Sequence, residues 1–145
     1  MTCSHNRAKP LRSGTLATVG ILILLAFLIL FNFRFFFTSG PSMDPTYTEG
    51  TFLLSLRLYG EPKPGDVVFL LHNDYYCMKR VAFIAGEDVS QAGHEGYWGD
   101  NIVPEGYVYV LGDNAAESFD SRNPEFGLVA VSDIWGKPLD QREKG

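Results

Sequence analysis

From Ser13 to Phe33 the chain carries no ionisable side chain. About 20 apolar residues rising 1.5 Å each cross a hydrocarbon core of roughly 30 Å, and Leu16 to Phe31 with its flanks meets that length. One transmembrane span is predicted. The rival is a cleaved secretory leader, whose apolar stretch runs to only about 7–15 residues and ends at a small-residue cleavage site. Here Phe33, Arg34 and Phe35 to Phe37 follow instead. Such bulky aromatics suit a membrane-interface belt, with Arg34 snorkelling towards headgroups, so an uncleaved anchor is expected. Arg7, Lys9 and Arg12 then hold the N-terminus in the cytoplasm by the positive-inside rule. This divides the chain into a basic tail over 1–12, a signal-anchor helix over 13–37 and an extracytoplasmic domain over 38–145.

A length of 145 residues favours one compact domain and excludes a full (β/α)8 barrel. Charge is unevenly placed. All 17 acidic residues follow Phe37, and of 12 basic residues only Arg7, Lys9, Arg12 and Arg34 precede Thr38, so 8 basic against 17 acidic residues leave the outer part at −9. An acidic domain without a basic stripe repels a phosphate backbone, which argues against nucleic-acid binding. Cys3 and Cys77 fall on opposite sides of the membrane, so no disulfide is expected. Cys77 lies in an apolar run and reads as a core thiol.

The outer part is predicted to be all-β. Strand-like runs at Thr51 to Leu58, Asp66 to Leu71, Tyr75 to Ala85, Tyr107 to Leu111 and Leu128 to Ile134 are separated by Gly, Pro, Asn and Asp. His72, Asn73 and Asp74 turn the chain between the second and third runs into a hairpin. The stretch from Gly86 to Val103 reads as a surface loop or small inserted hairpin that can vary without harming the core.

Three short blocks carry candidate chemistry. In Ser39-Gly40-Pro41-Ser42-Met43-Asp44-Pro45-Thr46 the prolines stiffen the backbone around Ser42. The segment is either a linker leaving the membrane or the seat of a nucleophile. Among the imidazoles, His5 lies on the wrong side, and His72 and His94 fall in turns. Lys79 shares a strand face with Tyr75, Cys77, Val81 and Phe83, and the opposite face is also largely apolar, so the middle of that strand is expected to be buried on both sides. Desolvation there would depress the amine pKa towards a useful base; an edge lysine snorkelling to solvent is the competing reading. The third block, Gly112 to Arg122, is either an ordered functional loop, with Asp120 and Arg122 paired, or a self-satisfied turn.

In order and spacing these blocks closely resemble the type I signal peptidases, membrane-anchored serine proteases with a Ser/Lys dyad. Ser42-Met43-Asp44-Pro45-Thr46 resembles the nucleophile box and Gly65-Asp66-Val67-Val68 the strand that follows. Lys79-Arg80-Val81 with Ala85-Gly86-Glu87 is similar to the lysine box, and Gly112-Asp113-Asn114 with Ser118 and Asp120-Ser121-Arg122 to the third. Gly127 with Ile134-Trp135-Gly136 resembles the closing strand.

The resemblance implies a compact antiparallel β catalytic domain behind one N-terminal transmembrane helix. It implies Ser42 as nucleophile, Lys79 as general base, Ser118 orienting the amine, Asp120 and Arg122 bracing the loop, Met43 packing near the site and Arg80 in support. Partners would be signal peptides of exported preproteins, cut after small residues, and the lipid bilayer; no metal or cofactor is required. The implied location is the bacterial inner membrane, because a lysine base fits the bacterial and organelle branch and argues against that of the endoplasmic reticulum. Gly40 stands where some members carry an oxyanion-hole serine, leaving more of that work to the Ser42 N–H. Tyr47, Phe83 and Ala85 replace commoner Leu, Gly and Pro. Only about Asp88 to Pro104 separates the second and third boxes, where larger members insert a β subdomain. A dedicated peptidase for a pilin or secretion-system subunit, or a noncatalytic tethered module that binds peptides, are the alternatives.

Overall fold

The computed structural model describes residues 13–57, 60–72 and 74–144. The basic tail with Cys3, and Asn73 of the expected turn, lie outside the described residues. The chain forms two units, an N-terminal helix and everything from Phe33 onwards.

Helix α1 spans Ser13–Asn32. None of the side chains from Gly14 to Phe31 is buried within the protein, although most are Leu, Ile, Val, Phe or Ala. By length and composition α1 can cross a membrane. The helix stops at Asn32, where the sequence reading carried it to Phe37. Phe33–Phe37 is instead a strand, β1, paired antiparallel with β2 (Phe52–Leu56) from Phe33 opposite Leu56 to Phe37 opposite Phe52. Aromatic residues favour a pleated, half-buried surface. A ready partner strand therefore outweighs continuation of the helix: Phe36 turns inward onto Phe69, with ring centroids 4.1 Å apart, while Phe35 and Phe37 stay exposed.

The remaining strands are β3 (Val67–His72), β4 (Tyr75–Ile84), β5 (Tyr107–Leu111), β6 (Val129–Ala130) and β7 (Ile134–Pro138). They build one seven-stranded antiparallel sheet in the order β1-β2-β7-β3-β4-β5-β6. The all-β expectation holds, and β3 and β4 form the hairpin, with His72 opposite Tyr75. The run Leu128 to Ile134 is not one strand. A 3₁₀ turn at Val131–Asp133 breaks it, because β6 pairs with β5 at one edge while β7 must lie between β2 and β3.

The core lies on both faces of β3. Val68 and Leu70 pack with Val81, Val108, Val110 and Ile134, whereas Val67 and Phe69 pack with Met43, Tyr47, Leu53 and Met78. Burial on two sides explains why Val-Val-Phe-Leu-Leu is apolar without alternation. The Gly86 to Val103 excursion differs from the sequence expectation in one respect. It is closed by Val89 N–H donating to Asn101 O and Val103 N–H to Glu87 O, and Val89 and Val103 form a fully buried cluster with Tyr109. It contributes to the core and is not freely variable.

Candidate active site

The loop from Thr38 to Thr51 joins β1 to β2. Its neck is tied by Thr38 N–H donating to Thr51 O, Gly50 N–H to Thr38 O, and the Thr38 hydroxyl to Thr48 O at 2.6 Å. Inside the loop, Asp44 N–H donates to Pro41 O and Tyr47 N–H to Met43 O, which folds the chain tightly around Ser42. Met43 and Tyr47 are buried plugs on one side of β3, and the Tyr47 hydroxyl donates to Asp140 O. Ser42, half-buried, is thus held between anchored neighbours. It lines a pocket of about 140 Å³ together with Phe36, Gly40, Met43, Cys77 and Met78. Among the described residues the Ser42 N–H donates to no protein acceptor.

Lys79 sits in the middle of β4 and is only 3% exposed, which excludes a snorkelling edge lysine. Its Nζ donates to Ser118 Oγ at 2.9 Å. Burial holds the amine below its ordinary value of 10.5, and the Arg122 charge adds to that effect. Cys77 and Asp120 act in the opposite direction. Cys77 does so only as a thiolate, and burial pushes that thiol up to about 11, so near neutral pH its pull is absent. Cys77 is half-buried and borders the pocket as well as the core.

Gly112 is where the three blocks meet. Asn114 N–H, just beyond it, donates to Ser42 O at 3.1 Å. A Cβ built on Gly112 would stand 2.2 Å from Ser118 Oγ and 2.5 Å from Ser42 O. No side chain fits there, so the absence of one is what lets the Ser42 loop close against the segment that holds Lys79 through Ser118.

Asp120 braces this segment. Its carboxylate accepts from Gly112 N–H at 2.8 Å, from Arg122 N–H and from both ends of the Arg122 guanidinium. Burial works to raise this carboxyl, but the bonds from Arg122 and Gly112, with a smaller one from the Ser118 hydroxyl, outweigh it and keep Asp120 ionised below the usual carboxylate value. The Ser118 hydroxyl therefore accepts from Lys79 and turns its proton towards Asp120. Arg80, the neighbour of Lys79, makes a bidentate pair with Asp113 and also donates to Gly65 O. Burial likewise pushes the Asp113 carboxyl up, and Arg80 first, with smaller contributions from Thr46 and Lys144, together bring it below the usual carboxylate value.

The fold thus gathers Ser42, Met43, Lys79, Arg80, Ser118, Asp120 and Arg122 around one loop junction. Among the described residues both imidazoles are engaged elsewhere: His72 Nε2 lies 2.6 Å from Phe126 O, and the His94 ring packs on Tyr109. Asp113 and Gly112 were quoted in the sequence only as parts of a box. Nothing local marks their structural tasks, because the partner of Asp113 is 33 residues away in the chain and the clearance at Gly112 exists only in three dimensions. Among the described residues no group of three or more His, Cys, Asp or Glu is placed to hold a metal ion.

A hydroxyl beside a small pocket and a buried, oriented amine suit acyl transfer. The chain matches the family described as signal peptidase, peptidase S26, over residues 11–97 and 91–139. It belongs to that family. Family membership makes it a serine peptidase, a hydrolase. It is 31% identical to signal peptidase I of Bacillus licheniformis, over 92% of this chain and 89% of that one. It is 34% identical to mitochondrial ATP-independent inner membrane protease subunit 1b of Arabidopsis thaliana, covering 69% of this chain and 64% of the relative. Mitochondrial inner membrane protease subunit 1 of Schizosaccharomyces pombe is 31% identical over 70% of this chain and 73% of its own length.

Proposed function

We propose that this chain is a membrane-anchored signal peptidase I that removes N-terminal signal peptides from exported preproteins after small residues, with Ser42 as nucleophile and Lys79 as general base. The observation that carries this is the buried Lys79 amine, oriented by Ser118, across Gly112 from the loop of Ser42. One Nζ–H is taken up by Ser118, which leaves the lone pair of the neutral amine for the Ser42 proton. Ser42 Oγ adds to the scissile carbonyl, and the unengaged Ser42 N–H receives the developing oxyanion. Protonated Lys79 returns its proton to the departing amine. Lys79, neutral again, takes a proton from the water that attacks the acyl-enzyme and passes it to Ser42 Oγ as the acid departs, which frees Ser42. A pocket of about 140 Å³ beside Ser42 suits small side chains, the specificity expected of an Ala-X-Ala-like cleavage site.

Helix α1 serves as the membrane anchor, with the tail over 1–12 cytoplasmic and the domain from Thr38 on the opposite side of a bacterial cell membrane. The likeness to the Bacillus signal peptidase I over nearly the whole chain supports this placement, and so does the apolar character of α1.

The test is incubation of the detergent-solubilised full chain with a model preprotein. Wild type is expected to release the signal peptide, and Ser42→Ala to lose turnover while keeping its circular dichroism spectrum. Ser121→Ala is the control. Ser121 Oγ accepts from Val110 N–H at 3.0 Å, so its loss weakens β5 by about 1–3 kcal/mol without abolishing cleavage. Near-normal turnover in Ser42→Ala would refute the assignment.

A further inference from the structure

Beside the pocket of Ser42 lie two further recesses, linked to it only through shared lining residues. Phe36 and Tyr76 line it and also a second hollow, which they share with Arg34, Phe35 and Trp135. Arg34 and Trp135 in turn line a cavity of about 590 Å³ with Arg57, Glu61 and Ser132. Arg34 faces the same side of the β1–β2 ribbon as its partner Ser55, and Arg57 lies two residues beyond Ser55, so the two guanidinium groups are diagonal neighbours opening on one cavity. Arg34 is exposed and, among the described residues, makes no ion pair. Two arginines against the one carboxylate of Glu61 make the lining of the cavity net cationic, on a domain that is otherwise strongly acidic. Tyr76 and Trp135, both exposed, meet edge to face at 5.3 Å beside it.

We infer that this cavity binds the phosphate of an anionic glycerophospholipid headgroup. The inference rests on the reading of α1 as a membrane anchor. Arg34 follows the end of α1 by two residues, which in extended chain is at most about 7 Å, so a spanning α1 delivers it to the headgroup layer. Exposed Trp and Tyr favour that layer, and arginines there attract anionic lipids. The bound headgroup answers a need of the molecule as a whole. An acidic domain is repelled by an anionic leaflet, and a cationic cavity that takes up lipid phosphate offsets that repulsion.

The full chain is reconstituted in nanodiscs of phosphatidylcholine with phosphatidylglycerol, extracted, and its retained lipids are read by native mass spectrometry. Wild type is expected to retain phosphatidylglycerol over phosphatidylcholine, Arg34→Lys to keep most of that preference, and Arg34→Gln with Arg57→Gln to lose it, by roughly fivefold per arginine. The basic tail is the same in every variant, so the difference reports the cavity alone. Excess glycerol phosphate in the extraction buffer should not displace the lipid; displacement would make the site one for soluble phosphate. Equal retention by wild type and the double variant overturns the inference. So does unchanged retention with weakened cleavage of an acidic preprotein, which would assign the cavity to substrate. Cleavage of a short neutral peptide in lipid-free detergent should be the same in both proteins, and loss of that cleavage in wild type would instead count against the peptidase mechanism.

Discussion

Lys79 is a cation placed where a cation is disfavoured, and this gives the proposed chemistry a pH signature. Its folded value lies below the ordinary 10.5, so the folded protein releases this proton at a lower pH than the unfolded chain does. Between the two values the unfolded chain binds more protons. Stability and the neutral, base-competent fraction therefore both rise with pH there. Single-turnover cleavage is expected to rise with pH with a midpoint below 10.5. Lys79→Arg should fold and be inactive, because a guanidinium keeps the charge and cannot deprotonate. An active arginine variant with the wild-type midpoint would remove Lys79 as the base. Gly112→Ala makes a separate claim. Its methyl would collide with Ser118 Oγ and Ser42 O, so turnover should fall by at least tenfold, with a smaller loss of melting temperature, measured by paired kinetics and thermal melts. Ser42 and Lys79 stand out in the sequence as candidates because each sits in a short local pattern. The Arg80–Asp113 pair and the empty space at Gly112 do not, because they arise only where distant segments meet.

At the scale of elements, the five residues after α1 are the instructive case. Phe-Arg-Phe-Phe-Phe reads equally as the aromatic rim of a membrane helix and as a strand, since both environments favour large aromatic side chains. Strand pairing with Phe52–Leu56 decides between them, and no local pattern announces a partner that lies across the Ser42 loop. The long middle strands were legible to within a residue or two, because their apolar runs end at glycine, proline and aspartate. Strand geometry has a measurable consequence. Phe36 packs on Phe69 and the Met43 cluster, whereas Phe35 is 66% exposed. Phe36→Ala should therefore destabilise the outer domain by about 2 kcal/mol, less than for a fully buried ring, and Phe35→Ala by well under half of that, in urea titrations of the full chain in detergent. Equal effects at 35 and 36 would contradict the alternation of a strand and restore the helical rim.

Taken whole, the molecule joins an apolar helix that buries none of its side chains from Gly14 to Phe31 within the protein to an acidic β-domain. That division was plain in the sequence, since charge and hydropathy are properties of composition and need no partner. The order of strands was not. β7 lies between β2 and β3, so the last strand is inserted near the first, and such pairing between distant segments leaves no mark on either one. Orientation across the membrane is a whole-molecule property with its own physical cause. Arg7, Lys9 and Arg12 precede the apolar run, and basic residues close to a span are retained on the cytoplasmic side, whereas acidic residues contribute little to that choice. The −9 of the outer part therefore does not oppose the proposed export. A protease added outside spheroplasts is expected to degrade a tag placed after Gly145, and a tag placed before Met1 should survive until the membrane is permeabilised. Neutralising Arg7, Lys9 and Arg12 together to glutamine should make part of the population adopt the opposite topology, because Arg34, the one basic residue close behind the span, then outweighs the tail. Protection of the C-terminal tag in the wild type would reverse the orientation and separate the domain from exported substrates. Protection of both tags in the triple variant would show that the protein had failed to insert, whereas a mixture would show that these three charges set the direction.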